Sequence, residues 1–432
     1  MRWLNAHARA HPRMGEPHRL TVGALRRHPW VMVWTLAVAQ VISWGSLYYT
    51  FSLFVVPMQE TLGWSRPLLN GALSLGLLAT GAVAFPVGAW IDRHGGRAVM
   101  TPGSLLGGLL LCAWARVETP WAFYLIWALI GASLAGVLYE PAFAVLTATF
   151  GPDARRAITA MTLVGGFAST VFMPLTQLLI TTVGWRQALL ILGGLNLAVC
   201  LPLHALFVPA RPAPSPLNAP PVNDVEEPSP APELQSILRG RVFWGLAVWF
   251  TAANLTASGF IFQFVPLLTA WGVDMAAILT GVALIGPMQV AGRIVLMGFS
   301  TRIETREIGT AVVILLPAAV LVLLCLPHTP VWLGLAAALY GAGNGVMTIA
   351  RGTAVADLIG RTHYGAINGA LTLPTMVAKA LAPVVTAVIW SATGNPSLML
   401  WALLGSALLG AVGFVFALSG TSPREDGRFR EA

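Results

Sequence analysis

The chain has 432 residues, 56% of them apolar and only 10% charged, where a soluble domain carries about 25% charged residues. That balance argues against a large water-soluble core and for a helical protein that crosses a bilayer many times. The net charge of +8 falls in short loops and tails, with no basic stripe interleaved with aromatics, which argues against nucleic acid as a partner.

Residues 1–29 are basic and polar and lack an apolar stretch ending in a small-residue cleavage site. They read as a cytosolic tail rather than a signal peptide. Apolar runs long enough to cross a bilayer follow at 31–56, 68–91, 98–117, 122–149, 157–182 and 187–208. Pro209 to Arg241 then interrupts them. It holds prolines from Pro212 to Pro232 and the acids Asp224, Glu226 and Glu227, a composition that builds no core and reads as a flexible linker. Six more runs lie at 242–269, 275–299, 308–326, 332–355, 366–390 and 398–419. They are too long for barrel strands, and lipid demands an internally satisfied backbone, so all twelve are expected to be transmembrane helices. The expected organisation is a basic tail at 1–30, a six-helix bundle at 31–208, a linker at 209–241, a second six-helix bundle at 242–419 and a tail at 420–432.

Arginine sets the orientation. The N-terminal tail and the loops holding Arg93, Arg97, Arg155, Arg156, Arg239, Arg241, Arg302, Arg306 and Arg361 alternate with loops holding only Arg66, Arg116 and Arg186. Positive charge stays inside, so both termini are expected on the cytoplasmic side of an inner membrane. Cys112, Cys200 and Cys325 stand alone in separate runs, with no disulfide framework, zinc spacing or other metal or cofactor signature. The halves match at a constant offset of 209: Pro57 with Pro266, Arg93 with Arg302, Gly136 with Gly345, Gly151 with Gly360, Ile158 with Ile367 and Pro174 with Pro383.

Between the second and third runs lies Gly88-Ala89-Trp90-Ile91-Asp92-Arg93-His94-Gly95-Gly96-Arg97. This Gly-x-x-x-Asp-Arg-x-Gly-x-Arg turn resembles the signature loop of the major facilitator superfamily, and the resemblance extends over residues 30–420. It implies an all-α membrane fold of two six-helix bundles related by pseudo-twofold symmetry. It also implies a secondary transporter that alternates access around a midplane site, acting as a monomer. In that family the loop latches the two halves, which implies a conformational-switch role for Gly88, Asp92, Arg93 and Arg97. The physics agrees: Gly88 admits a close neighbour, Asp92 suits a helix N-terminus, and the arginines hold the loop at the cytosolic side. The offset pairs Asp92 with Thr301, in Ser300-Thr301-Arg302-Ile303-Glu304, where the acid and glycines are missing. One latch is therefore expected to serve the molecule.

Four charges fall within runs: Glu140, Arg293, Arg351 and Lys379, the last being the only lysine in the chain. Such charges are costly in lipid and mark function by default. None is repeated at the 209 offset, so the scaffold does not require them. Lys379 lies about 20 Å from the cytosolic end of its run, too deep to snorkel. Glu140 falls level with residue 349, near Arg351. A direct Glu140–Arg351 contact across the halves is expected, with the pair loading and releasing a proton.

Arg293 and Lys379 resemble the cation pair of the oxalate–formate and monocarboxylate branch, where such residues neutralise carboxylates in the central cavity. That resemblance implies a small organic anion as substrate, coupled to protons. Trp44 and Tyr48, and Asn254 with Ser258, each share a helix face at i, i+4 spacing. With Gln263 they are candidate cavity liners. Phe167-Ala168-Ser169-Thr170, Gly343-Asn344-Gly345, Arg351-Gly352-Thr353 and Tyr364 to Gly369 are similar to bacterial efflux carriers for trivalent arsenicals. Efflux of a metalloid or other toxic compound is therefore the second reading, and a non-transporting membrane sensor the third. Gly165-Gly166 echoes the drug-antiporter pattern, but Pro174 follows too late, and Trp127 stands near the place of the usual arginine of the fourth span. No Walker pattern and no Ser/His/Asp, metal-ligand or paired-carboxylate constellation appears, so an enzyme is not expected.

Overall fold

Helix breakers decide where each span starts and stops. The computed structural model describes residues 28–210, 233–298 and 303–420. Both tails, most of the Pro-rich segment and the Ser300-Thr301-Arg302 stretch lie outside the described residues. The described chain is helical throughout, with no strands. Within the stretch read as linker, Leu234–Arg239 forms a short helix.

In the first half, α1 is Pro29–Leu62, α2 Arg66–His94 and α6 Trp185–Phe207, with α3 at Arg97–Trp114. One helical stretch, Pro120–Val183, is 64 residues long, or roughly 96 Å if straight, against a hydrocarbon core of about 30 Å. It therefore cannot be a single crossing. It breaks into α4, made of Pro120–Val137 and Tyr139–Phe150, and α5, made of Ala154–Gly165 and Ala168–Val183. In the second half, α7 is Arg241–Ala270, α8 Met275–Gly298, α9 Thr305–Cys325, α10 Pro330–Leu358, α11 Tyr364–Thr393 and α12 Pro396–Ser419. These are the twelve expected spans.

The internal repeat is visible in the helix ends. α2 starts at Arg66 and α8 at Met275; the α5–α6 and α11–α12 turns both pivot on a glycine with positive φ, Gly184 at 83° and Gly394 at 64°. A left-handed residue there reverses the chain at little cost only if it is glycine. Pro at the first turn of α4, α10 and α12 suits helix starts whose first N–H groups have no partner.

Two departures from regular helix matter for the interior. α1 carries a π-helical turn at Gly45–Tyr49 and α6 another at Asn196–Cys200. They face each other: Asn196 Nδ2 donates to Ser46 Oγ at 2.5 Å, and Ser43 Oγ to Cys200 Sγ at 3.7 Å. π-Turns widen a helix locally and recur at functional sites. Here the turn brings the consecutive residues Tyr48 and Tyr49 both against Trp44. Trp127 is fully buried in the first half's aromatic core, with Phe51, Trp114 and Phe123.

The two halves meet along α2 and α11. Small residues allow this: a Cβ on Gly88 would overlap the Gly365 carbonyl, and one on Gly369 would overlap the Ala84 carbonyl. Higher up, Gly81 sits against Leu373 and Met376, and Leu77 packs with Met376, Ala380 and Tyr48. Asp92 to Leu77 spans about 22 Å of helix, so contact begins at the Asp92 face and reaches the middle of the span.

Candidate functional site

At the Asp92 face, the carboxylate spans the two halves. Its Oδ1 accepts from Gly365 N and its Oδ2 from Ala366 N, each at 2.8 Å. These are the first amides of α11, which have no partner inside their own helix, and the helix dipole adds to the attraction for an anion. His363, just before them, has φ 57°, the only positive φ outside glycine among the described residues. Of the other signature residues, Gly88 provides the close approach. Arg97 ties the start of α3 to the end of α6, Nε donating to the Val208 carbonyl at 2.7 Å, and Arg93 is exposed.

The expectation of a single latch is overturned. On the pseudo-symmetric side, Arg155 at the start of α5 reaches into the second half. It donates to the Ile303 carbonyl, to Thr305 Oγ1 at 2.9 Å and to Asp357 Oδ2 at 2.7 Å. Asp357 also accepts from the Thr305 hydroxyl. The polarity is inverted relative to the first latch: there an acid at the end of α2 accepts from helix amides, here a base at the start of α5 donates to a loop carbonyl. With the acid replaced by Thr301 in the sequence, a cation from the facing helix does the joining. Arg155→Asp should therefore loosen this face, and Asp357→Arg added to it should restore most of the closure. The check is the labelling rate of a single cysteine at Ile158, which is buried against Gly352 of the other half.

A second layer lies about 10 Å deeper. Arg351 on α10 is buried and bonds α11: to the Asn368 side-chain oxygen, to the Asn368 carbonyl at 2.9 Å and to Thr372 Oγ1 at 2.9 Å. Its guanidinium also lies 4.9 Å from the Phe250 ring centre. The expected direct Glu140–Arg351 contact is not made, because α11 already supplies the guanidinium with three acceptors. Glu140 instead lines a small gap between α2, α4 and α11, with room for about one water, that also touches Gly88, Gly365 and Thr372. Glu140 and Arg351 thus approach Thr372 from different sides and interact electrostatically, without an ion pair.

Arg293 on α8 is in the same layer and is 3% exposed. Its Nη1 donates to the Thr162 carbonyl of α5, in the other half, at 2.7 Å, and its Nη2 to Thr348 Oγ1 at 3.3 Å. It also meets the Tyr139 hydroxyl. Gly165 and Gly166 form the notch that admits it: a Cβ on Gly166 would overlap Arg293 Nη1, and one on Gly165 would crowd Tyr139 Oη at 2.8 Å. This accounts for the glycine pair.

Lys379 sits higher, about 22 Å along α11 from Tyr364. Asn368, Thr372, Thr375 and Lys379 are spaced i, i+4, i+7, i+11 and share one face of α11. That stripe is readable from spacing: Asn368 falls in the Tyr364 to Gly369 stretch, while Thr372 carries no sequence signal besides its place on the stripe. The Lys379 carbonyl accepts from Ser258 Oγ at 3.2 Å. Its ammonium has no ion pair among the described residues and feels Glu140 and Arg351 at longer range. Nearby, Trp44, Tyr48, Tyr49 and Tyr139 form a ring cluster with Trp44 centroid distances of 5.1 to 5.7 Å. Tyr48 also packs onto Met376 and Ala380, beside Lys379. Asn254 is half-buried, donating to the Phe250 carbonyl of its own helix. Gln263 is buried, bonding Thr386 Oγ1 at 2.8 Å between α7 and α11.

The sequence profile of the Major Facilitator Superfamily matches residues 36–383. Human monocarboxylate transporter 11 is 34% identical over 152 residues, 33% of this chain and 32% of that protein. A probable L-galactonate transporter of Escherichia coli (strain K12) is 24% identical over 236 residues, 52% of this chain and 51% of that protein. The chain thus spans about a third to a half of the length of these relatives. Among solved structures, FucP in the outward conformation superposes with a TM-score of 0.67 at 16% identity, covering 91% of this chain and all of that one. The human organic anion transporter MFSD10 gives 0.64 at 16% identity, covering 91% of this chain and 99% of that one. With the profile matching most of the chain and the twelve-helix fold in place, the protein belongs to the major facilitator superfamily.

Proposed function

We propose that the protein carries small organic anions of the mono- or dicarboxylate kind across an inner membrane, with both termini cytoplasmic and transport coupled to protons. The observation that carries this reading is the charge inside the spans. Among the described residues it comprises Arg293, Arg351 and Lys379 against Glu140 alone. The ammonium of half-buried Lys379, held at membrane depth without an ion pair among the described residues, is expensive; a substrate carboxylate supplies the missing charge. The names of the relatives accord with an anionic cargo. With the Asp92 face cytoplasmic, this conformation is closed on the cytoplasmic side. Glu140, alone of the four in being acidic, is the proton carrier: it lines the gap beside the Asp92 latch, so neutralising it alters the field at the closed face.

Uptake of labelled lactate and oxalate into proteoliposomes, with and without an inward proton gradient, tests the reading. Saturable uptake that the gradient accelerates is the expected outcome. Saturable uptake of fucose or of an organic cation, with none of either acid, would refute it.

A further inference from the structure

We propose that Arg293 changes roles during the cycle: it is a gate residue while the Asp92 face is closed, and an anion ligand only when that face opens. This rests on the anion reading above and adds a sidedness that the reading does not require. Three observations carry it. First, the guanidinium is committed across the halves, to the Thr162 carbonyl at 2.7 Å, and not to the cavity. Second, the notch is shaped for it, since a Cβ on Gly166 would displace Arg293 Nη1 and one on Gly165 would crowd Tyr139 Oη. Third, Arg293 bonds Thr348, three residues from Arg351, whose partner on α11 is Thr372, whereas Lys379 lies seven residues further along α11, about 10 Å deeper. The two cations are thus at different depths here, and only Lys379 is free to receive an anion.

Separating the halves at the Asp92 face withdraws Thr162 from Arg293. The guanidinium then keeps Thr348, while Nη1 and the already unpartnered, buried Nε are left without acceptors. A carboxylate satisfies them best, because a guanidinium fork matches a carboxylate bidentately. The site therefore presents one cation to the opposite side and two to the Asp92 side, and the anion is held more tightly when that face is open. The carrier then saturates at lower anion concentration from the Asp92 side than from the other, while the direction of net transport still follows the gradient.

The test uses the full chain in vesicles of each orientation, with labelled lactate as probe. Arg293→Gln should raise the apparent KM at least tenfold from the Asp92 side and less than twofold from the other. Gly166→Ala should instead exclude Arg293 from its notch while leaving it as a ligand. It should speed labelling of a cysteine at Ile158 without the tenfold rise in KM. Equal losses from both sides in Arg293→Gln would overturn the proposal, as would unchanged labelling in Gly166→Ala. If wild-type vesicles take up no organic acid while Gly166→Ala still speeds labelling, the anion reading fails and the gate role of Arg293 stands alone.

Discussion

Lys379→Ala should abolish saturable organic-anion uptake while making the substrate-free protein more stable. Both effects follow from one fact: the ammonium is in the middle of α11 with no ion pair among the described residues. In the empty carrier the half-buried ammonium is partly desolvated with no ion pair to offset it, so removing it relieves that cost. In the loaded carrier it is the free cation for the anion. Deleting one partner of a buried charge pair costs about 2–5 kcal/mol, or roughly thirtyfold to several thousandfold in affinity at 1.4 kcal/mol per factor of ten. Proteoliposome uptake and the melting temperature of the empty protein read the two effects separately. A merely structural lysine gives the opposite signature: uptake persists in proportion to folded protein, and the melting temperature falls.

The second large effect is expected at the latch. Asp92→Asn keeps the side-chain shape but removes the charge that accepts from Gly365 N and Ala366 N. Hydrogen bonds to charged groups contribute about 1.5–3 kcal/mol each, and the helix dipole adds to that. A loss of about 3 kcal/mol shifts a two-state equilibrium roughly a hundredfold. Gly88→Val should do more, because its side chain must displace the Gly365 backbone rather than weaken a bond. Labelling of a cysteine at Ile158 from the Asp92 side reports both, with a rise for Asp92→Asn and a larger one for Gly88→Val. If neither substitution changes the rate, the Asp92 contact does not hold the halves together. Arg97 is the useful contrast. Its bond to the Val208 carbonyl lies within the first half, so Arg97→Ala should lower stability more than it shifts the gate.

Helix positions were legible because lipid enforces them: spans must be about 20 apolar residues, and Gly and Pro mark their ends. Even so, length and apolarity alone leave Pro120–Val183 as one stretch; the break at Leu138 and the turn at Gly151–Asp153 divide it. The repeat was legible because both halves keep turn residues at matched positions, such as Gly151 and Gly360. The glycine pair at Gly165-Gly166 was visible but uninterpretable, since its meaning is the Arg293 side chain it admits from another helix.

By itself, then, the sequence determined the number of spans, the two halves, the rarity of buried charge and the loop that joins α2 to α3. Each of these rests on local composition or on spacing along one helix. The tertiary structure alone decided which groups those charges meet. Asp92 finds amides 273 residues away and Arg155 a carboxylate 202 residues away. Arg351 turns to Asn368 rather than to Glu140, Arg293 is spent on Thr162, and Lys379 is left free. Such pairings depend on how the two halves dock, through small residues that let backbones touch, and helical periodicity carries no record of that docking.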